Sequence, residues 1–280
     1  MNNSYTNYIY MSLEKPQITI VVPRRGINDE GKGKKHALYR LISAAKTDYV
    51  WMMDDDVLPA PIANSSLCER PIGGTPSNSL YEASDLLILP LRMESDREKP
   101  SLLERLQIAE YAAIQQLTIE TAKRGHAVMC SGANLIAKRD RWLESYPDLH
   151  PEIPSGDDMF LLESFKRRGL KIAVSESKEL TAIIRPHTSW RAFFRQRMRW
   201  AGKAPKYTDR DILLCGAMML MANLLQLCCP LVLLVKFPLE YALIKKRDAS
   251  VSLFTALLLE ILYPFYTIIS IVGGIFRRTW

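Results

Sequence analysis

The sequence predicts an α/β domain followed by a membrane region, and three observations carry that expectation. Through about residue 210, short β-rich runs alternate with helix-length segments, the pattern of a sheet flanked by helices. One run, from Asp48 to Asp54, is apolar until it ends in three carboxylates, Asp54, Asp55 and Asp56, and is closed by Pro59. That reads as a buried strand whose C-terminal tip carries ligands, the place where sites form in open α/β sheets. Residues 211–276 are then almost uninterruptedly apolar, the composition of a membrane region.

Charge and cysteine usage narrow the function classes. The chain has 280 residues, is 48% hydrophobic and carries a net charge of +7, yet much of the excess is local. Between Arg185 and Lys206 stand seven Lys or Arg and no acid, directly before the apolar tail, as expected of a basic skirt on the cytoplasmic face of a bilayer. No recognised nucleic-acid motif accompanies the charge, so a nucleic-acid partner is not expected. The five cysteines show neither zinc spacing nor a secreted disulfide framework, which points to a reducing, cytoplasmic setting for the soluble part. Met1 to Tyr10 lacks an apolar signal segment, so attachment to the lipid bilayer is expected from the C-terminal side.

Taken in order, residues 1–16 are expected to be irregular and Gln17 to Pro23 to form a strand. A Gly- and Lys-rich loop from Arg24 to Lys35 opens a helix from about His36 to Ala45. Such a loop can cradle phosphate through backbone N–H groups and ammonium groups at a helix N-terminus, although a plain basic loop has the same composition. The strand ending at Asp54 follows. Carboxylates two apart at its tip, Asp54 and Asp56, can hold a hard divalent cation with positions open for phosphate oxygens; an Asp-rich turn is the plainer alternative. After a turn-rich stretch to Ser79, Leu86 to Leu91 reads as a strand and Ser101 to Arg124 as an amphipathic helix.

Cys130-Ser-Gly132-Ala-Asn134 is a small-residue turn suited to close approach of backbone to a sugar or phosphate. Ser155-Gly-Asp157-Asp158 opens a helix that ends at Gly169 and leads to a strand at Lys171 to Val174. Ser155 and Asp158 fit a capping box, while paired acids beside a metal-phosphate site can also supply a general base. As a helix, Trp190 to Lys206 has an apolar stripe of Trp190, Phe193, Phe194, Met198 and Ala201. Gln196, Arg199, Trp200 and Lys203 share another face. An interfacial helix explains the stripe; an amide, a guanidinium and an aromatic platform together suit a diphosphate and a sugar.

The ordered set Gly33-Lys34-x-x-Ala37-Leu38, Asp54-x-Asp56-x-x-Pro59, Gly132-x-Asn134-x-x-Ala137, Gly156-Asp157-Asp158 and Gln196-x-x-Arg199-Trp200 resembles the membrane-bound family 2 glycosyltransferases, relatives of the cellulose, chitin and hyaluronan synthases. The resemblance covers about residues 17–280. It implies a GT-A-like fold over 17–185, an interfacial segment over 186–208 and a membrane region over 209–280. It also implies transfer, with inversion, from a nucleotide-sugar donor such as a UDP-sugar to a glycan or lipid-linked acceptor, on the cytoplasmic side of a cell membrane crossed several times. Carried over by position, Lys34, Asp54, Asp56, Gly132, Asn134, Gln196, Arg199 and Trp200 bind the donor. Asp56, with Asp54, holds Mg²⁺ or Mn²⁺, and Asp158, with Asp157, is the catalytic base.

One departure stands out. The strand that ends in an acidic nucleobase-binding motif has no match here, so the resemblance implies a missing first βαβ unit, an uncovered sheet edge and an upstream fragment or partner subunit to complete the site. Two other classes stay open: a shortened remnant with little activity, and a membrane-associated binding protein that uses its basic face. The tail is expected to form three apolar segments, 211–228, 229–244 and 253–275, because two spans would leave Lys245-Lys246-Arg247 outside. Lys236 and Glu240, at i and i+4 in the middle one, are expected to pair.

Overall fold

The computed structural model describes residues 10–11, 18–24, 33–58, 82–153 and 155–276; the turn-rich stretch after Pro59 and most of the Gly-Lys loop lie outside them. In chain order the strands and α-helices are β1 (Tyr10–Met11), β2 (Ile18–Val21), α1 (Lys34–Ala44), β3 (Tyr49–Met53), β4 (Leu86–Ile88), β5 (Leu91–Met93), α2 (Leu102–Lys123), β6 (Asn134–Lys138), α3 (Arg139–Ser145), α4 (Asp157–Arg167), β7 (Ile172–Val174), β8 (Ala182–Ile184), α5 (Trp190–Ala201), α6 (Arg210–Cys228), α7 (Leu233–Arg247) and α8 (Leu253–Phe276).

These elements form two compact units that interleave along the chain. The first runs to Pro90 and resumes over Cys130–Ala182. It holds a six-stranded mixed sheet in the order β1-β2-β3-β6-β4-β7. β2 and β3 are parallel, β6 runs against both β3 and β4, and β4 and β7 are parallel. The ends of β3, β4 and β7 and the start of β6 therefore share one edge, where Met53 faces Asn134 and Ile88 faces Leu135 and Val174. On one face Tyr49, Leu87, Leu89, Ile136 and Leu180 are packed together. The edge of β2 expected to be open carries β1, paired antiparallel through Tyr10–Thr19 and Met11–Ile18.

The expected strand from Leu86 to Leu91 is two strands in two sheets, with β5 pairing β8. Pro90 divides them, since it lacks the N–H a continuing ladder needs; its carbonyl accepts from Ala182 N–H and from the Asn134 amide.

The second unit comprises Leu91–Met129 and everything from Ile183 on. Its centre is α2, whose start is fixed by a capping box: Ser101 Oγ accepts from Glu104 N–H and Glu104 Oε2 from Ser101 N–H. Leu106, Ala109 and Ala112 of α2 pack with Ile244, Val251, Ala256 and Leu259 from the C-terminal helices, so small side chains let α7 and α8 approach it closely. Although α2 falls in the stretch expected to be α/β domain, it sits with the apolar tail.

Among the described residues two helices, α6 and α8, are long and apolar enough to cross a membrane. The middle segment of the three expected gives α7, whose 15 residues span only about 22 Å at about 1.5 Å each. Its Lys236 pairs with Glu240 at 3.3 Å, as the spacing suggests, and also with Glu260 of α8.

Candidate active site

In the first unit the chain brings five of the singled-out residues to the shared sheet edge. β3 ends at Met53, and Asp54 follows, half-buried, while Asp55 and Asp56 form the exposed turn beyond it. Lys34, the first residue of α1, places its ammonium between two acids, 2.7 Å from Asp54 Oδ1 and 2.9 Å from Asp157 Oδ2. Asp157 opens α4, and the neighbouring Asp158 turns one oxygen toward the Gly132 N–H at 3.4 Å and the other to the Met159 N–H at 2.8 Å. Gly132 is closely packed: a Cβ there would stand 3.0 Å from Asp157 Oδ2 and 3.4 Å from Lys34 Nζ, so those side chains would have to shift. Lys34, Asp54, Gly132, Asp157 and Asp158 thus form one cluster.

Local sequence explains how the acids are presented. The capping box expected of Ser155 and Asp158 is not formed. The helix N-cap is Gly156, at φ 86, a left-handed conformation that costs glycine nothing. This places Asp157 and Asp158 in the first turn, where the N–H groups and dipole of α4 favour negative charge. Ser155 Oγ is left buried without a hydrogen-bond partner among the described residues.

Electrostatics in the cluster are strongly coupled. Burial opposes the charge on Lys34, but Asp157 and Asp54, with Asp158 behind them, outweigh it, and the ammonium is held well above its ordinary range. Burial raises the Asp54 carboxyl; Lys34 pulls against that rise, Asp157 and Asp56 add to it, and the net shift is upward. Cys130, whose Sγ–H donates to the Asp158 carbonyl at 3.3 Å, is pushed far up by burial and by Asp158 and Asp157, so it stays a thiol.

The acids fit a hard divalent cation. Lys34 already shows that Asp54 and Asp157 converge on one positive centre, and their oxygens suit Mg²⁺ or Mn²⁺ rather than a soft metal. Among the described residues no group of three or more His, Cys, Asp or Glu converges as a complete metal cage.

Asn134 has a different environment from its neighbours. It is wholly buried; its Oδ1 accepts from Trp51 Nε1 at 2.8 Å, and its amide donates to Pro90 and Leu180 carbonyls at 2.8 and 2.9 Å. The side chain ties β3, β6 and the following loops together.

Gln196, Arg199 and Trp200 lie on α5, in the second unit. Ser189 caps that helix through Ala192 N–H at 3.3 Å. Gln196 is half-buried, Arg199 exposed and Trp200 37% exposed. The residue between them that sequence reasoning passed over is Arg197. It is 5% exposed, ion-paired to Glu110 of α2 and bonded to Gln196 Oε1 at 2.6 Å. The only hint in sequence was Glu110 itself, a lone acid among the Ala-rich apolar positions of α2.

Comparison with known proteins gives a family match over residues 14–203, to the family described as glycosyltransferase like family 2. No curated protein matches. Among solved structures, one titled as the crystal structure of a mycobacterial protein is 17% identical, with a TM-score of 0.28, and aligns over 60% of this chain and 50% of its own length. The chain therefore spans about half of that protein.

Proposed function

The chain belongs to glycosyltransferase family 2, and we propose that it moves a sugar, with inversion, from a nucleotide diphosphate donor to an acceptor hydroxyl at the cytoplasmic face of a membrane. The observation that carries this reading is the cluster itself, in which Lys34 joins Asp54 to Asp157 with Asp158 alongside. A cation held by Asp54 and Asp56, and reached by Asp157 across the position Lys34 fills, would offset charge on the leaving diphosphate.

The other steps fall to the chain's own groups. Lys34 offers its ammonium to diphosphate oxygens once they compete for it, at the N-terminus of α1 where N–H groups also favour anions. Asp158, fixed by its contacts with Gly132 and Met159 N–H groups, takes the proton of the attacking hydroxyl, with Asp157 and its Lys34 contact beside it. Arg199 neutralises the departing nucleotide and Trp200 stacks the acceptor. Asn134 supports the donor site by holding the sheet edge. A UDP-sugar is the donor proposed.

A lipid-linked acceptor is favoured by one observation in the second unit. A cavity of about 200 Å³, almost wholly apolar and lined by Leu106, Trp190, Phe193, Leu262, Phe265 and Ile269, lies between α2, α5 and α8. It suits an aliphatic chain better than a bare glycan. The test is incubation of the full chain in bilayer discs with radiolabelled UDP-sugars, Mn²⁺ and either lipid-phosphate or soluble glycan acceptors. Labelled lipid product of inverted configuration, abolished in Asp158→Asn, is expected. Labelled product of equal yield in Asp158→Asn would refute the assignment of the base.

A further inference from the structure

Gln196, Arg199 and Trp200 sit on an amphipathic helix, and α5 needs something to fix its rotation and depth if these side chains are to meet a substrate reproducibly. The second unit contains such a device. The Arg197 guanidinium uses all three nitrogens: Nε donates to Glu110 Oε1 at 3.3 Å, Nη2 to Glu110 Oε2, and Nη1 to Gln196 Oε1 at 2.6 Å. Its carbon lies 4.3 Å from the Trp200 ring centroid and 4.7 Å from that of Phe193. Glu110 is held in turn by the Tyr266 hydroxyl of α8, which donates at 2.5 Å. One turn earlier on α2, Gln107 donates to the His187 carbonyl at 2.8 Å and accepts from its N–H at 3.0 Å, fixing the segment that enters α5.

We propose that Arg197 and Glu110 are positioning residues for transfer: the buried pair locks the Gln196 amide and the Trp200 ring in place against α2 and α8. The inference rests on the reading of Gln196, Arg199 and Trp200 as transfer residues. A purely packing role is the alternative, and chemistry separates the two. Replacing a buried ion pair by apolar groups of similar volume often leaves a fold about as stable. It leaves nothing to hold Gln196 or to stack on Trp200. Lysine at 197 keeps the charge toward Glu110 but lacks the planar fork that reaches Gln196 and the flat face that stacks.

The experiment uses the full chain in bilayer discs, with the Glu110→Leu/Arg197→Met double variant and Arg197→Lys. Melting temperature, donor KM, kcat and acrylamide quenching of Trp200, isolated by subtracting Trp200→Phe, are measured. The double variant is expected to fold and to melt near the parent, while kcat falls about a hundredfold, the scale of a small misplacement of reacting groups. Trp200 quenching should rise in both variants. Parental kcat and parental quenching in the double variant would overturn the proposal, as would full recovery of both by lysine. If the double variant does not fold, Arg197→Lys decides alone. If the parent transfers no sugar, the transferase reading fails, and quenching still decides whether Arg197 orders Trp200.

Discussion

Lys34 stands where two carboxylates would otherwise repel each other, and its removal should show how the cluster is balanced. In Lys34→Gln, Asp54 and Asp157 lose their shared counter-charge, which is expected to cost about 1–2 kcal/mol. A fully buried pair would cost about 3–5 kcal/mol, but the lysine side chain keeps 30% exposure. Mn²⁺ should then raise the melting temperature of Lys34→Gln more than that of the parent; an equal rise in both would mean the acids do not share a cation. A second residue-scale test concerns Asp85. Its carboxyl is held below 3.8: burial raises it, but the Lys171 N–H at 2.8 Å and the Lys138 ammonium at 3.0 Å prevail. A depressed acid stabilises the fold above its unfolded pKa, and that contribution is lost as pH falls through the folded value. Asp85→Asn should therefore flatten the loss of thermal stability below about pH 4, measured as melting temperature against pH. At this scale the sequence made Asp54, Asp157 and Asp158 legible, because acids at a strand tip and a helix start have local signatures. Arg197 and Glu110 lie 87 positions apart, and no local pattern joins them.

At the scale of elements, α5 and α8 cross on glycine. A Cβ at Gly274 would meet backbone, 2.8 Å from Gly202 N and 2.9 Å from Met198 O, whereas one at Gly273 would meet only the Met198 side chain. Backbone cannot yield as a methionine can, so Gly274→Ala should lower the melting temperature and increase acrylamide quenching of Trp200, while Gly273→Ala should do so much less. Equal effects would show that the crossing is not as close as described. Helix α2 was legible to within a residue from its length and period, and the capping box seen in the structure fixes its start. Strand boundaries were less so: Pro90 splits one expected strand between two sheets, which follows from the missing N–H but not from hydropathy. The Ser155 capping box failed because Gly156, free to take a positive φ, moves the cap one residue on.

For the whole molecule, the chain falls into two units that interleave in sequence, and small residues on α2 suit helix packing in a way that amphipathic period alone does not reveal. Within the second unit the start of α6 and the end of α7 meet α2 near its C-terminus, through Asp211 with His126 and Lys246 with Glu120. Helices α6 and α7 thus form a hairpin whose open ends lie together, although α7 is short. In a cysteine-free background, Ala249→Cys is expected to be labelled from the same side as Thr208→Cys, and Leu231→Cys from the other or not at all; labelling of 249 from the opposite side to 208 would overturn this topology. The central claim, that the acidic cluster is a donor diphosphate site with a separate base, is tested most directly by Mn²⁺ electron paramagnetic resonance of the full chain titrated with UDP. UDP-dependent immobilisation of Mn²⁺ is expected in the parent and in Asp158→Asn, and its loss in Asp54→Asn and Asp56→Asn. Immobilisation that survives in both Asp54→Asn and Asp56→Asn, or vanishes in Asp158→Asn alone, would contradict the account.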